Sequence, residues 1–131
     1  MLGSMRYDRR IRRSAADVWA LAGDPARLHE WFPSISGCTV DGTTRVVVTG
    51  SGLPMPEEIL VRDDTQRRFQ YRVTAPLFHF HRGSIDVIAL DQEECLVVYT
   101  TDADPRPLAL VVGAATADAL DRLQQLMETT A

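Results

Sequence analysis

Several things are missing from this chain, and each absence narrows what the protein can be. No stretch approaches the roughly 18 uninterrupted apolar residues of a membrane-spanning helix. The most apolar window, residues 107–117, is too short. There is no apolar leader near the start, so the expected location is cytoplasmic. Cysteine is scarce: Cys38 and Cys95 stand alone without CxxC spacing and read as reduced thiols, with no neighbour marking either as a nucleophile. The formal net charge is −4, which opposes general binding to nucleic acid or to an anionic membrane. Arg6, Arg9, Arg10, Arg12 and Arg13 form one local basic run, expected as the solvated face of an edge strand. A P-loop, a dinucleotide fingerprint and a Gly-x-Ser-x-Gly elbow are all lacking. Phosphoryl transfer, hydride transfer and serine hydrolysis are therefore disfavoured.

What is present is the composition of one globular domain. The 131 residues are 45% apolar and 24% charged, too apolar for disorder and too few for two cores. Met1 to Ser4 read as an added tail ahead of a natural start at Met5, so the domain is expected over 5–131. Residues 5–13 read as a first strand. Ser14 then offers an N-cap with Asp17 three residues on; Val18, Trp19, Leu21 and Ala22 supply a helical stripe, and Gly23 stops it. Asp24 caps a second short helix that carries Pro25 at its first position, Leu28, Trp31 and Phe32 on its apolar face, and Pro33 at its end.

Beyond Pro33 the apolar period shortens to two. Strands are expected at 35–40 and 45–49 around Asp41-Gly42, at 57–62 and 68–74 around 63–66, and at 78–90 and 96–101 around 91–94. The Gly- and Pro-rich stretch 50–56 reads as a loop carrying Leu53 and Met55, either a plain connector or a gate on glycine hinges. Asp104-Pro105-Arg106-Pro107 opens a helix that runs to about Glu128. Its stripe holds Leu108, Val111, Val112, Ala115, Ala119, Leu120, Leu123, Leu126 and Met127. At about 1.5 Å per residue, some 20 residues span roughly 30 Å. A helix of that length needs a broad apolar surface, and only the strands can supply it.

The segment Val18-Trp19-Ala20-Leu21, then Gly23-Asp24, Leu28, Trp31 and Pro33, resembles the START-like superfamily, in particular its bacterial polyketide cyclase/dehydrase-like branch. Glu57-Glu58-Ile59-Leu60 and the run from Arg67 to Val73 are similar to that family's fourth and fifth strands. The resemblance covers nearly the whole chain from Met5 and rests on the order and spacing of motifs that are individually weak. It implies an α+β helix-grip fold: a curved antiparallel sheet of about seven strands, two short helices after the first strand, and a long C-terminal helix over an internal cavity. Lipids, sterols, aromatic polyketides and plant hormones are the ligands it implies. Its members are carriers, sensors and cyclases, so fold alone does not set the chemistry. Two positions depart from the family pattern: Phe32 follows the tryptophan where a His or another polar residue is common, and His81 stands where the sixth strand often has Tyr.

Strand alternation assigns side chains to faces. His79, His81, Gly83, Ile85, Val87 and Ala89 share the face expected to look at the long helix, while Arg82, Ser84 and Asp86 share the one expected to see water. Glu57, Ile59 and Val61 line up likewise, as do Phe69, Tyr71 and Val73, and Val97, Tyr99 and Thr101. The ligand-binding candidates are therefore Trp31, Leu53, Met55, Glu57, Tyr71, His79, His81 and Tyr99. Each has a plainer reading. Either histidine can be a hydrogen-bonded core residue, Trp19 and Trp31 can be helix-to-sheet core, the tyrosines can be cross-strand packing, and Glu57 can be solvated at the cavity mouth. An unpaired buried carboxylate costs several kcal/mol or becomes protonated, so an inward Glu57 needs a partner, a ligand or water.

The first functional reading is a carrier or sensor for a small, largely apolar or aromatic metabolite or lipid with at least one oxygen function. The alternative is a cyclase/dehydratase-type enzyme. There His79 or His81 is the general base at a carbon acidified by a neighbouring carbonyl, and Glu57 or Tyr71 steadies or protonates the enolate oxygen. A third is a protein-interaction module with a collapsed cavity. His79 and His81 in a His-x-His pair with Glu57 make an incomplete zinc set, so no metal and no cofactor is expected. The expected partner is a small molecule, with neither nucleic acid nor an integral membrane segment, and the oligomeric state is open, a dimer being one option.

Overall fold

Alternating β-branched and aromatic residues dominate the middle of the chain, and every strand they form joins one sheet. A computed structural model describes residues 1–129. The elements are β1 (Gly3–Ile11), α1 (Ala15–Ala22), a 3₁₀ helix (Pro25–Glu30), β2 (Ile35–Asp41), β3 (Thr44–Thr49), β4 (Pro54–Asp63), β5 (Arg68–Val73), β6 (Phe80–Ala89), β7 (Cys95–Asp104) and α2 (Arg106–Thr129). The seven strands run antiparallel in the order β1-β7-β6-β5-β4-β3-β2, so β2 to β7 form a meander and β1 closes onto its last strand. The sheet is open and α2 lies over it: the helix-grip architecture, α+β, as expected.

Capping chemistry sets the helical boundaries. The Ser14 hydroxyl accepts the Asp17 N–H at 3.2 Å, and the Gly23 N–H closes α1 on Trp19 O. A Cβ on Gly23 would lie 2.4 Å from the Trp19 indole, so the turn is closed tightly over that ring. Asp24 accepts the Ala26 N–H at 3.0 Å with Pro25 in the first turn, but the winding that follows is 3₁₀ rather than α.

α2 sits on the sheet through small residues at one end and large ones at the other. A Cβ on Gly3 would meet Arg106 O at 2.6 Å, and one on Gly113 would meet the Met5 Cβ at 2.7 Å. That glycine-lined approach brings α2 against β1. Further along, Leu120, Leu123 and Met127 enter a core shared with Ile11, Val18, Trp31, Phe69, Ile85 and Val97. Four of the five arginines in the run carry carboxylate partners: Arg9 with Asp121, Arg10 with Glu94, Arg12 with Glu128 and Arg13 with Asp17.

The structure corrects several boundaries. Gly3 and Ser4, set aside above as a tail, are the first two residues of β1, paired with Ala103 and Asp102. β1 ends at Ile11, leaving Arg12 and Arg13 beyond it. β4 begins at Pro54, so the expected loop 50–56 contracts to a tight turn in which Gly52 N–H donates to Thr49 O at 2.8 Å. β6 starts at Phe80 rather than residue 78, and β7 continues to Asp104. The expected domain end at residue 131 lies outside the described residues.

Candidate functional site

The face of the sheet that looks at α2 is not filled. Between them lies a cavity of about 310 Å³, walled by Leu28, Phe32, Val47, Met55, Val112 and Ala115 among others. Three polar side chains from adjacent central strands enter this wall: Glu57 from β4, Tyr71 from β5 and His81 from β6.

Glu57 is placed by strand register. It pairs with Arg45 across β3 and β4, so both side chains point to the same face. The Arg45 Nε donates to Glu57 Oε1 at 2.7 Å, and Nη2 lies 2.7 Å from the same oxygen. Arg45 is 1% exposed and Glu57 5%. The guanidinium stands 4.8 Å from the centre of the Tyr71 ring and 5.2 Å from that of Phe69, with Nη1 donating to Pro25 O. Burial raises the Glu57 carboxyl above the ordinary carboxylate range, and the Arg45 charge opposes that rise. Burial works against the Arg45 charge too, yet the Glu57 carboxylate keeps the guanidinium firmly protonated. Arg45 itself does not line the cavity; Glu57 does.

His81 is held by an interrupted ladder. The β5–β6 pairing ends at Tyr71 opposite Gly83, and the N–H of Val73 donates to His81 Nδ1 at 2.9 Å. A backbone N–H is only ever a donor, so Nδ1 must carry the lone pair, and in the neutral ring the proton sits on Nε2. His81 is 4% exposed, and Nε2 is buried with no protein partner among the described residues. Burial lowers its pKa to about 4, with Asp102 opposing. The ring is therefore neutral at ordinary pH.

Tyr71 and Tyr99 share a 2.5 Å hydrogen bond between their hydroxyls. The Tyr71 ring rests on Gly83, where a Cβ would come within 2.4 Å of Cζ; glycine is what lets the ring reach the cavity wall. Burial raises both phenol pKa values well above the ordinary one, so neither supplies a phenolate.

The structure thus brings Met55, Glu57, Tyr71 and His81 together on one cavity. It separates the other candidates. Tyr99 lies fully buried behind Tyr71, and Trp31 is fully buried against Phe32 and Tyr99 with its Nε1 unpartnered. Leu53, at the turn, is 56% exposed and does not reach the cavity. His79 precedes β6 with its side chain 73% exposed, and its Nδ1 lies 3.9 Å from the Asp104 carboxylate. The turn 75–77 delays the start of β6, so strand parity does not yet apply at residue 79. The His79, His81 and Glu57 metal set is consequently not assembled, and no group of three potential ligands occurs among the described residues. Ser84, expected in water, is buried and accepts a hydrogen bond from the paired Gln70 at 3.1 Å.

Sequence reasoning missed Arg45, which was read only as the start of a strand, and Phe78, which packs edge-on to His81 at 5.0 Å and lines the cavity. The Arg45–Glu57 register across the turn at 50–53 was the available signal for the first. The chain contains no lysine, so lysine Schiff-base chemistry is closed to it.

Comparison with known proteins agrees with this architecture. The family model described as polyketide cyclase/dehydrase and lipid transport matches residues 3–128. No curated protein matches the chain. Among solved structures, the protein XoxI from Bacillus cereus superposes with a TM-score of 0.88 at 21% identity, covering 95% of each chain. The Zhui aromatase/cyclase from a Streptomyces species superposes at 0.78 and 19% identity, covering 98% of this chain and 94% of that one. A START superfamily protein from Mycobacterium smegmatis gives 0.74 at 14% identity, covering 94% and 98%. At these identities the likeness is one of fold.

Proposed function

The chain belongs to the polyketide cyclase/dehydrase and lipid transport family, and from that membership we propose that it binds a small, largely apolar or aromatic molecule with at least one oxygen function, acting as a carrier or sensor. The observation that carries this reading is the apolar cavity of about 310 Å³ with Glu57, Tyr71 and His81 in its wall. A concave apolar site with a few fixed polar groups is the general form of a small-molecule pocket.

The same geometry weighs against the cyclase/dehydratase alternative as built on histidine. His79 stands outside the cavity. The one lone pair of His81 is occupied by the Val73 N–H, and its basicity is suppressed by burial. A general base needs a free lone pair and a pKa near the working pH. His81 has neither.

Native mass spectrometry of the protein purified from its own host tests the reading. The expected result is a bound species of a few hundred daltons that is released on unfolding. Ligand-free protein from the host, together with no uptake of any apolar aromatic compound in solution, would overturn it.

A further inference from the structure

Resting on that binding reading, we propose that the cavity selects an uncharged ligand with two separate polar functions: an acceptor oxygen, such as a ketone or ether, at His81, and a hydroxyl or N–H donor at Glu57. A hydroxy-ketone on an aromatic body is the simplest member of this class.

The first half follows from the orientation of His81. Its Nδ1 edge is turned to the sheet and engaged by Val73 N–H at 2.9 Å, which leaves Nε2–H on the opposite edge of the ring. That atom is buried, has no partner among the described residues, and belongs to a residue that lines the cavity. A buried donor left unpaired is costly, so an acceptor oxygen delivered by a ligand is rewarded there. A ligand N–H placed at the same point would meet Nε2–H donor against donor, and a ketone or ether oxygen meets it without having to give up a hydrogen bond of its own.

The second half follows from Glu57. Both nitrogens of Arg45 that approach it converge on Oε1, leaving Oε2 without a protein hydrogen bond among the described residues. An ionised carboxylate oxygen accepts and cannot donate. The matching ligand group must therefore carry a hydrogen.

The requirement for an uncharged ligand follows from the charge already present. Arg45 and Glu57 balance one another, and Arg45 sits behind the wall against Phe69 and Tyr71 rather than in the cavity. His81 adds no charge while its ring is neutral. A ligand carboxylate would enter an apolar space with no free cation to receive it and with Glu57 as a like charge.

Two measurements test this on the full chain. Side-chain nitrogen NMR of the protein alone reads the His81 tautomer: Nδ1 unprotonated and Nε2 protonated is expected, and the reverse would overturn the proposal whatever binds. Calorimetric titration then compares naphthalene, naphthol, acetylnaphthalene, acetylnaphthol and naphthoate. The acetyl and the hydroxyl groups should each tighten binding by roughly three- to tenfold over naphthalene, with naphthoate weakest of the substituted set. His81→Phe should erase the acetyl advantage over naphthalene measured on the same variant, and His81→Gln, which can still accept from Val73 and donate inward, should restore part of it. The paired variant Arg45→Met/Glu57→Leu should erase the hydroxyl advantage. Equal affinity for naphthalene and its neutral derivatives, or preference for naphthoate, would overturn the polar signature while leaving the cavity reading intact. If none of the five binds, the cavity reading falls and this inference falls with it.

Discussion

Arg45 and Glu57 show how much can hang on one buried pair. Removing one member of such a pair strands the other charge in an apolar wall, whereas removing both replaces the pair with packing. Arg45→Met alone should therefore cost about 3–5 kcal/mol, and Arg45→Met/Glu57→Leu should recover most of that loss, as read from urea-unfolding midpoints. His81 gives a pH signature. Its folded pKa, about 4, lies below the ordinary 6.5, so between those values the unfolded chain takes up a proton that the folded chain refuses. Stability is thus complete above that window and declines as the pH falls through it, by a contribution on the order of 3 kcal/mol. The Asp102 carboxylate is the charge that opposes the shift. Unfolding measured across this window should fall more steeply for the parent than for His81→Gln; parallel curves would refute the assignment. Arg45 does not announce itself locally. A charge on a strand is usually solvated, and what marks Arg45 as buried is a partner 12 residues away across β3 and β4. His81 was legible through alternation, but the same rule failed at His79 because alternation holds only inside a paired strand.

At the scale of elements, the long helix and the strand order were readable because they rest on many residues at once. A stripe of apolar positions from Leu108 to Met127 has one sensible reading, and an error at any one position does not disturb it. Boundaries were less readable because single interactions settle them. β1 reaches back to Gly3 because Gly3 admits Arg106 and Ala109 closely, a tertiary fact with no local sequence signal. The same close approach makes a prediction at Gly113. A Cβ there would sit 2.7 Å from the Met5 Cβ, between two backbones that are both anchored. Helix propensity favours Ala over Gly by about 1 kcal/mol, so a free-standing helix would gain from the substitution. Overpacking costs typically 1–3 kcal/mol and should outweigh that gain, making Gly113→Ala destabilising by thermal unfolding. A more stable variant would show that α2 is free to lift from β1. Gly83→Ala tests the sheet in the same way. It would push the Tyr71 ring off its seat and break the Tyr71–Tyr99 bond, so it should disturb the cavity as well as the stability.

For the molecule as a whole, the open sheet and α2 leave a space that the core does not fill, and that space is where fold and function join. The buried residues of α2 toward its C-terminal end complete the core, while Val111, Val112 and Ala115 in its first half face the cavity. One helix thus both stabilises the sheet and roofs the site. A ligand held beneath it binds the folded chain only, so it must stabilise the fold by mass action. At a hundredfold excess over its Kd the gain is about 2.7 kcal/mol. Acetylnaphthol at that excess should raise the thermal midpoint by several degrees, and the shift should scale with the logarithm of its concentration. Ala115→Trp places an indole where the ligand would lie, on a residue that is only half-buried and can tolerate the change at the helix surface. That variant should keep its fold by circular dichroism and lose the concentration-dependent shift. An unaltered shift in Ala115→Trp would mean that the compound binds elsewhere on the surface, and the space beneath α2 would then be a packing defect rather than a site.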